Sequence, residues 1–300
     1  EKDIRERRSE VQRQEHRLQQ KEETLDRKTD NIEAKEEKLS ARAKEIDARI
    51  AECDKIKQSQ MEILEKISGF TKEQAKVGYV GAYPYAEVIS GYTAFFLGVR
   101  SVVPQAQMTV KYTNTWGSYA LEKKCASGLI REGCVIISQH SDTTGPAVAC
   151  EEVKGEKIVY HVGYNQSMAD VAPTTYLTGC RINWEPYISS AVQAVIEGRD
   201  IENEENATVN GNDAGAGFDQ GWVQMLELNE LIAAPGTREK IDSLIRRFEQ
   251  KKVHVFQGDY IGVDPEDDTD QISLKKEYKE NEKSSAPTFH YVLKDVIKIE

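Results

Sequence analysis

No stretch of about 18 apolar residues occurs in the 300-residue chain, and its first positions carry no apolar export core. The sequence therefore predicts no membrane span, export signal or anchor within the chain as it stands. Histidine is scarce, with five residues, and none is followed by Asp or set in an H-E-x-x-H pattern. The five cysteines (Cys53, Cys125, Cys134, Cys150 and Cys180) include no C-x-x-C and no spacing that joins them to a His as zinc ligands. Cys125 on a helix and Cys134 in an apparent strand read as small buried apolar residues. G-x-S-x-G and P-loop patterns are absent as well. The sequence thus predicts no catalytic residue, no metal ligand and no cofactor, and a protein that is not an enzyme.

Proline and glycine are missing from Glu1 through Ser68, a stretch in which charge dominates. Residues 1–76 hold 19 Lys+Arg and 19 Asp+Glu, leaving 21 basic and 32 acidic residues in 77–300, which therefore carries the whole net charge of -11. That acidity argues against a phosphate-backbone partner for the second part, so no nucleic acid is expected there. Within the first part Ile4, Val11, Leu18, Leu25, Ile32, Leu39 and Ile46 recur every seven residues, the period of a coiled coil. The companion seam position reads Arg8, Glu15, Glu22, Thr29, Glu36, Ala43 and Ile50, apolar only at its end. A helix so polar, on the order of 100 Å long, needs a second chain to cover its stripe. A single solvated helix held by i, i+4 charge pairs is the alternative.

The segments ERRSEVQRQEHRLQQKEETLDRK and ILEKISGFTKEQAK closely resemble the coiled-coil region of bacterial ribonuclease Y over residues 1–76. That resemblance implies an RNA-binding KH domain and a metal-dependent HD domain further on. Neither is evident, since no His-Asp pair exists and the one G-x-x-G, Gly78 to Gly81, sits inside an apolar strand. At the boundary, Gly69 reads as a helix stop, and Thr71 with Gln74 forms a capping box for a helix that Val77 cuts short. No Gly, Ser or Pro linker intervenes, and the conflict reads as two unrelated segments joined near Lys76.

From Val77 onward short β-branched runs alternate with amphipathic segments. The runs are VGYVGA, MTVKYT, CVIISQ, KIVYHVGY and YLTGCRINW, and between the first two lie Val88, Tyr92, Phe95, Phe96 and Val99 at helical spacing. This predicts an α/β fold with right-handed crossovers and a parallel sheet whose ligand cleft lies beyond the carboxyl ends of the strands. Those ends read Tyr83 and Pro84, then Thr113 to Trp116, Gln139 to Asp142, Tyr164 to Ser167, and Asn183 with Trp184. Aromatic faces beside amides and carboxylates suit a planar, hydrogen-bonding solute. From the residues alone, each Trp equally fits packing at the rim, and His140 fits a hydrogen-bonded loop.

Farther on, NGNDAGAGFDQGW (Asn210 to Trp222) reads as a flexible connection, Pro235 to Lys252 as a helix, and VHVFQG as the strand after it. DPEDDTD invites a calcium-loop reading, which fails because Thr269 stands at the sixth place and Lys275 at the twelfth.

The motifs VGYVGAYPYAEVISGYTAFFLGVRSVVPQAQMTVKYTNTW, ISQHSDTTGPAVACEE, VGYNQSMADVAPTTYLTG and INWEPYISSAVQAVIEG resemble the BMP family of bacterial substrate-binding lipoproteins across 77–300. The resemblance implies a periplasmic-binding-protein-like fold whose two lobes close on a solute, with the first lobe largely missing here and the coiled coil in its place. The helix from Glu185 to Gly198 and the tail around His290 to Ile299 would then lack a packing partner. It also implies ligand contacts from Trp116, Gln139, His140, Asp142, Tyr164, Asn165, Asn183 and Trp184. Purine-nucleoside binders of the family would carry an acidic residue where Asn165 stands.

The expected function is solute binding without catalysis for an ABC importer. It takes nucleosides or related heterocycles, works with a permease partner on the extracytoplasmic face of a bacterial membrane, and is impaired by the missing lobe. The alternative is a ribonuclease Y-like homo-oligomerising scaffold in RNA decay, membrane-associated on the cytoplasmic side. A chimeric chain with no working activity is the third reading.

Overall fold

Strand β1 (Lys76–Gly81) alternates its side chains between two cores, with Val77 and Tyr79 entering one and Val80 the other. A strand buried on both faces in this way belongs at the centre of a parallel sheet. In the computed structural model it does lie there. The structure describes residues 76–201, 208–210, 213–280 and 285–300, together with scattered helical residues between 10 and 49. The chain divides into two units, Glu1–Ile63 and Leu64–Glu300.

In the second unit β1 is followed by α1 (Ala86–Val102), β2 (Gln107–Tyr112), α2 (Tyr119–Arg131), β3 (Ile136–His140), α3 (Gly145–Glu152), β4 (Tyr160–Tyr164), β5 (Tyr176–Ile182) and α4 (Glu185–Ile196). Then come β6 (Thr208–Asn210), β7 (Asp213–Gly215), β8 (Val223–Met225), α5 (Thr237–Glu249), β9 (Ile261–Val263), β10 (Gln271–Ser273), β11 (Val292–Leu293) and β12 (Ile297–Ile299). The main sheet runs β12-β2-β1-β3-β4-β5-β8, parallel except for the antiparallel β5–β8 edge. It is the α/β fold that the alternating runs predict. β10-β9-β11 and β6-β7 form two small antiparallel sheets.

Helix α1 covers one face of the sheet. It buries Val88, Ile89, Tyr92, Phe96 and Leu97, and each large apolar side chain contributes about 1.5–3 kcal/mol relative to exposure. Helices α2 and α3 cover the other face, with Leu129, Ile130, Ala149 and Cys150 meeting Val80 and Ile137. Between β4 and β5 the backbones approach closely: Gly163 and Gly179 face each other in register, and a Cβ on Gly179 would stand 2.8 Å from the Gly163 carbonyl. Glycine is required there.

Three expectations change. VHVFQG forms no strand, because β12 occupies the sheet edge beside β2; Phe256 instead stacks on Phe289 at 4.2 Å as part of the α1 core. The tail from His290 to Ile299 has its packing partner in this unit, with Phe289 and Leu293 fully buried against α1. Asn210 to Trp222 is not simply a connection, since it includes the end of β6 and all of β7, which pair antiparallel, and leads into β8. Helix α4 does leave its apolar residues uncovered: Ala194 is buried, while Ile188, Val192, Val195 and Ile196 are exposed.

In the first unit the described seam residues Val11, Leu18, Ile32, Leu39 and Ile46 are helical and exposed. Ile4, Leu25, the whole companion seam, Cys53, the Gly69 stop and the Thr71–Gln74 box lie outside the described residues. Among the described residues no helix is long and apolar enough to cross a membrane.

Candidate functional site

The strand order β2-β1-β3 places the reversal of sheet winding between β1 and β3, where open α/β sheets form a crevice at the carboxyl ends. Backbone bonds carry the register past the strand ends: Ala82 N–H donates to the His140 carbonyl (3.0 Å), and Thr113 N–H to the Gly81 carbonyl (2.9 Å). The side chains that follow make a continuous wall of rings. Tyr83 stacks on Tyr85 (5.0 Å between centroids, 15° between planes), and Trp116 lies 5.8 Å from Tyr83 and 6.5 Å from Tyr85. His140 is 6.1 Å from Trp116 and 4.1 Å from Tyr164. These five rings come from the ends of four adjacent parallel strands.

His140 is the keystone, only 4% exposed. Gly91 of α1 makes room for it, because a Cβ there would stand 2.9 Å from the ring Nδ1. That Nδ1 is buried without a hydrogen-bond partner, while Nε2 lies 3.6 Å from the Glu87 carboxylate. Burial lowers the imidazole below its usual range, outweighing the pull of Glu87 and Asp142, so the ring is neutral near pH 7. Burial pushes the Tyr164 hydroxyl up to about 12, so it remains a phenol.

Of the residues picked from sequence, the fold brings Trp116, His140 and Tyr164 into one wall, with Asp142 beside it. Asp142 is exposed; its N–H donates to the Trp116 carbonyl (2.9 Å), and its own carbonyl accepts from Gln166 Nε2 (3.3 Å). Gln139 points inward, donating through Nε2 to the Ser141 and Thr143 carbonyls, both at 2.8 Å. It shapes the loop that carries Asp142. Asn165 adopts a left-handed backbone (φ 60), and its Oδ1 accepts the Ile182 N–H at 3.2 Å, which ties the ends of β4 and β5 together. Asn183 is held by the loop before β8, through N–H to the Trp222 carbonyl (2.6 Å) and Nδ2 to the Gly221 carbonyl (2.9 Å). Trp184 opens α4, is 60% exposed, and has no ring neighbour among the described residues.

Tyr85, Glu87 and Gly91 belong to the rim although the strand-end pattern did not single them out. The signal lay in YPYAE, where aromatic and acidic residues sit on the turn that starts α1. A concavity of about 580 Å³ lies at the opposite, amino end of the sheet, lined by Lys76, Gln107, Glu132, Lys298 and Glu300 among others. Its Glu132 and Glu300 already pair with Lys111 (2.7 Å each) and no aromatic residue lines it. The rim is therefore the better-equipped surface for a solute. Its rings offer stacking faces, and Glu87 with Asp142 offers acceptors to ligand N–H and O–H groups.

Residues 1–80 match the RNase Y N-terminal region. A purine-binding protein of Brucella abortus (strain 2308) is 35% identical over 121 residues, 40% of this chain and 33% of that protein. A putative ABC transporter glucose-binding protein, TsgA13, of Haloferax volcanii is 30% identical over 131 residues, 44% of this chain and 32% of that protein. The chain spans about a third of the length of these curated relatives. An ABC transporter solute-binding protein structure from Aeropyrum pernix K1 superposes with a TM-score of 0.47 at 16% identity, covering 69% of this chain and 61% of that one. Residues 66–253 match the PnrA-like ABC transporter substrate-binding proteins, and the chain belongs to that family, Bmp.

Proposed function

We propose that the second unit binds a planar heterocyclic solute, purine-related, as the solute-contacting wall of an ABC importer's binding protein, without catalysis. The observation that carries this reading is the run of five rings from Tyr83 to Tyr164 across the switch point. Trp116 and the Tyr83–Tyr85 pair supply the stacking face, worth about 1–3 kcal/mol per base. His140, Asp142 and Tyr164 supply polar contacts, while Gln139, Asn165 and Asn183 hold the loops in place. An extracytoplasmic location and a permease partner come with the reading, and the Brucella relative favours a purine over a sugar.

Saturation-transfer NMR of the full chain with adenosine, guanosine, hypoxanthine and glucose tests it. Signals are expected from the heterocycles and not from glucose, with Trp116→Ala weakening binding at least about fivefold, in keeping with one lost stacking contact. Binding of glucose alone, binding of none, or a larger loss from Trp184→Ala than from Trp116→Ala would overturn the assignment.

A second reading concerns the first unit. We propose that the exposed heptad residues Val11, Leu18, Ile32, Leu39 and Ile46 pair with the same stripe on a second copy, because large apolar side chains at this spacing stand exposed. Sedimentation equilibrium is expected to show a dimer or larger species. A monomer at about 100 µM, where even weak coiled coils associate, removes the idea.

A further inference from the structure

We infer that Asp264, Asp270 and His290 form a binding site for one divalent first-row cation, Zn²⁺ ahead of Mn²⁺, at one end of the β10-β9-β11 sheet. Asp264 directly follows β9, Asp270 directly precedes β10, and His290 stands two residues before β11. The ladder pairs Val263 with both Gln271 and Val292, which draws the three side chains together. One ligand atom from each lies within 4.8 Å of the other two. This set is distinct from the failed calcium-loop pattern, because His290 enters from 20 residues beyond Asp270 and replaces the missing loop ligands.

The placement of His290 supports the assignment. Its Nδ1 lies 2.8 Å from the Thr288 carbonyl, which only accepts, so the ring proton sits on Nδ1. Its other ring nitrogen, Nε2, faces the Asp264 Oδ2, 3.5 Å away. Two ligands of a tetrahedral Zn²⁺ at 2.0–2.1 Å stand about 3.3 Å apart, close to that separation.

Each ligand also has a support outside the trio, as metal ligands generally do. Asp264 Oδ1 accepts the Glu266 N–H (2.8 Å), which leaves Oδ2 for the ion. The Tyr291 hydroxyl donates to Asp270 (3.3 Å to either oxygen), and the Tyr291 ring stacks on His290 at 4.3 Å. One imidazole with two carboxylates favours Zn²⁺ or Mn²⁺ over the all-oxygen preference of Ca²⁺ and Mg²⁺. Such an ion would fasten the segment carrying β11 to β9 and β10, close to the Phe289 and Leu293 anchors of the α1 core.

Titration of the full chain with Zn²⁺, Mn²⁺, Ca²⁺ and Mg²⁺, read by calorimetry and thermal shift, tests the site. Zn²⁺ is expected to raise the melting temperature, and His290→Ala and Asp264→Asn are each expected to weaken its binding at least tenfold. In the unaltered chain, substoichiometric Mn²⁺ is expected to broaden the His290 ring resonances first, a readout that does not depend on a variant folding. The inference is overturned if Ca²⁺ or Mg²⁺ binds as well as Zn²⁺, if either variant binds Zn²⁺ like the parent, or if Mn²⁺ leaves the His290 signals sharp.

Discussion

Lowering the pH from about 7 toward 3 is expected to destabilise the second unit steeply, and the variant His161→Leu is expected to flatten that fall. His161 lies in β4, is fully buried, and has no hydrogen-bond partner for either ring nitrogen. Burial drives its imidazole down to about 3, against a weak opposing pull from the Ile137 backbone. In the unfolded chain the same group titrates near 6.5. The unfolded state therefore takes up a proton first. Stability from the neutral buried ring is complete above pH 6.5, drains away as pH falls, and is gone near 3, a total on the order of 4 kcal/mol.

Two other groups act in the same direction, and their windows separate them from His161. His140 is also lowered by burial and adds to the loss below 6.5. Glu151 titrates later: burial alone would raise its carboxyl, but bonds from Lys154, Thr174 and Thr175 hold it at about 2. Its contribution is intact above about 4.5 and lost toward 2. The variant should thus reduce the slope from pH 6.5 down to about 3, while the part of the fall between 4.5 and 2 that Glu151 contributes remains. At pH 7 it should be neutral or stabilising, since an apolar side chain replaces two unsatisfied polar atoms. Urea midpoints measured across this range decide the matter. Parallel curves for parent and variant would mean that His161 finds a partner or water.

What sequence patterns revealed here divides along the range of the interactions. Strands β1 to β5 and helix α1 were legible because each buries its own alternating or three-four spaced residues. The edge strands β8 and β12 were not, since three residues carry no period and exist as strands only through pairing with Cys180–Ile182 and Met108–Val110. VHVFQG has strand composition, yet the edge it needed was taken. At the rim, position was legible but role was not. Gln139 and Asn183 look like ligand amides in a strand-end list, and only three-dimensional neighbours show them satisfied by backbone. Conversely Glu122, inside YALEKKC, reads as an ordinary surface charge on a helix.

Glu122 is in fact wholly buried, and Glu122→Ala is expected to cost about 3–5 kcal/mol. Its Oε1 accepts the Ser118 N–H at the start of α2 (2.9 Å); its Oε2 accepts the Ser141 hydroxyl (2.8 Å) and the Thr143 N–H (3.1 Å). Removing the carboxyl group leaves three donors without a partner in a buried site, at about 1–3 kcal/mol each before water entry offsets part of the loss. Glu122→Gln keeps one acceptor but presents an amide NH₂ where a donor already points, and should fall between parent and Ala. Chemical denaturation of the three proteins orders them; an Ala variant within about 1 kcal/mol of the parent would show that water replaces the carboxylate freely. The same bonds join the loop after Trp116 to the loop carrying Asp142. Even where Glu122→Ala remains folded, the ring wall loses the brace between β2 and β3, so solute binding should fall along with stability. The loops that carry this rim are thus tied through one buried carboxyl group behind them.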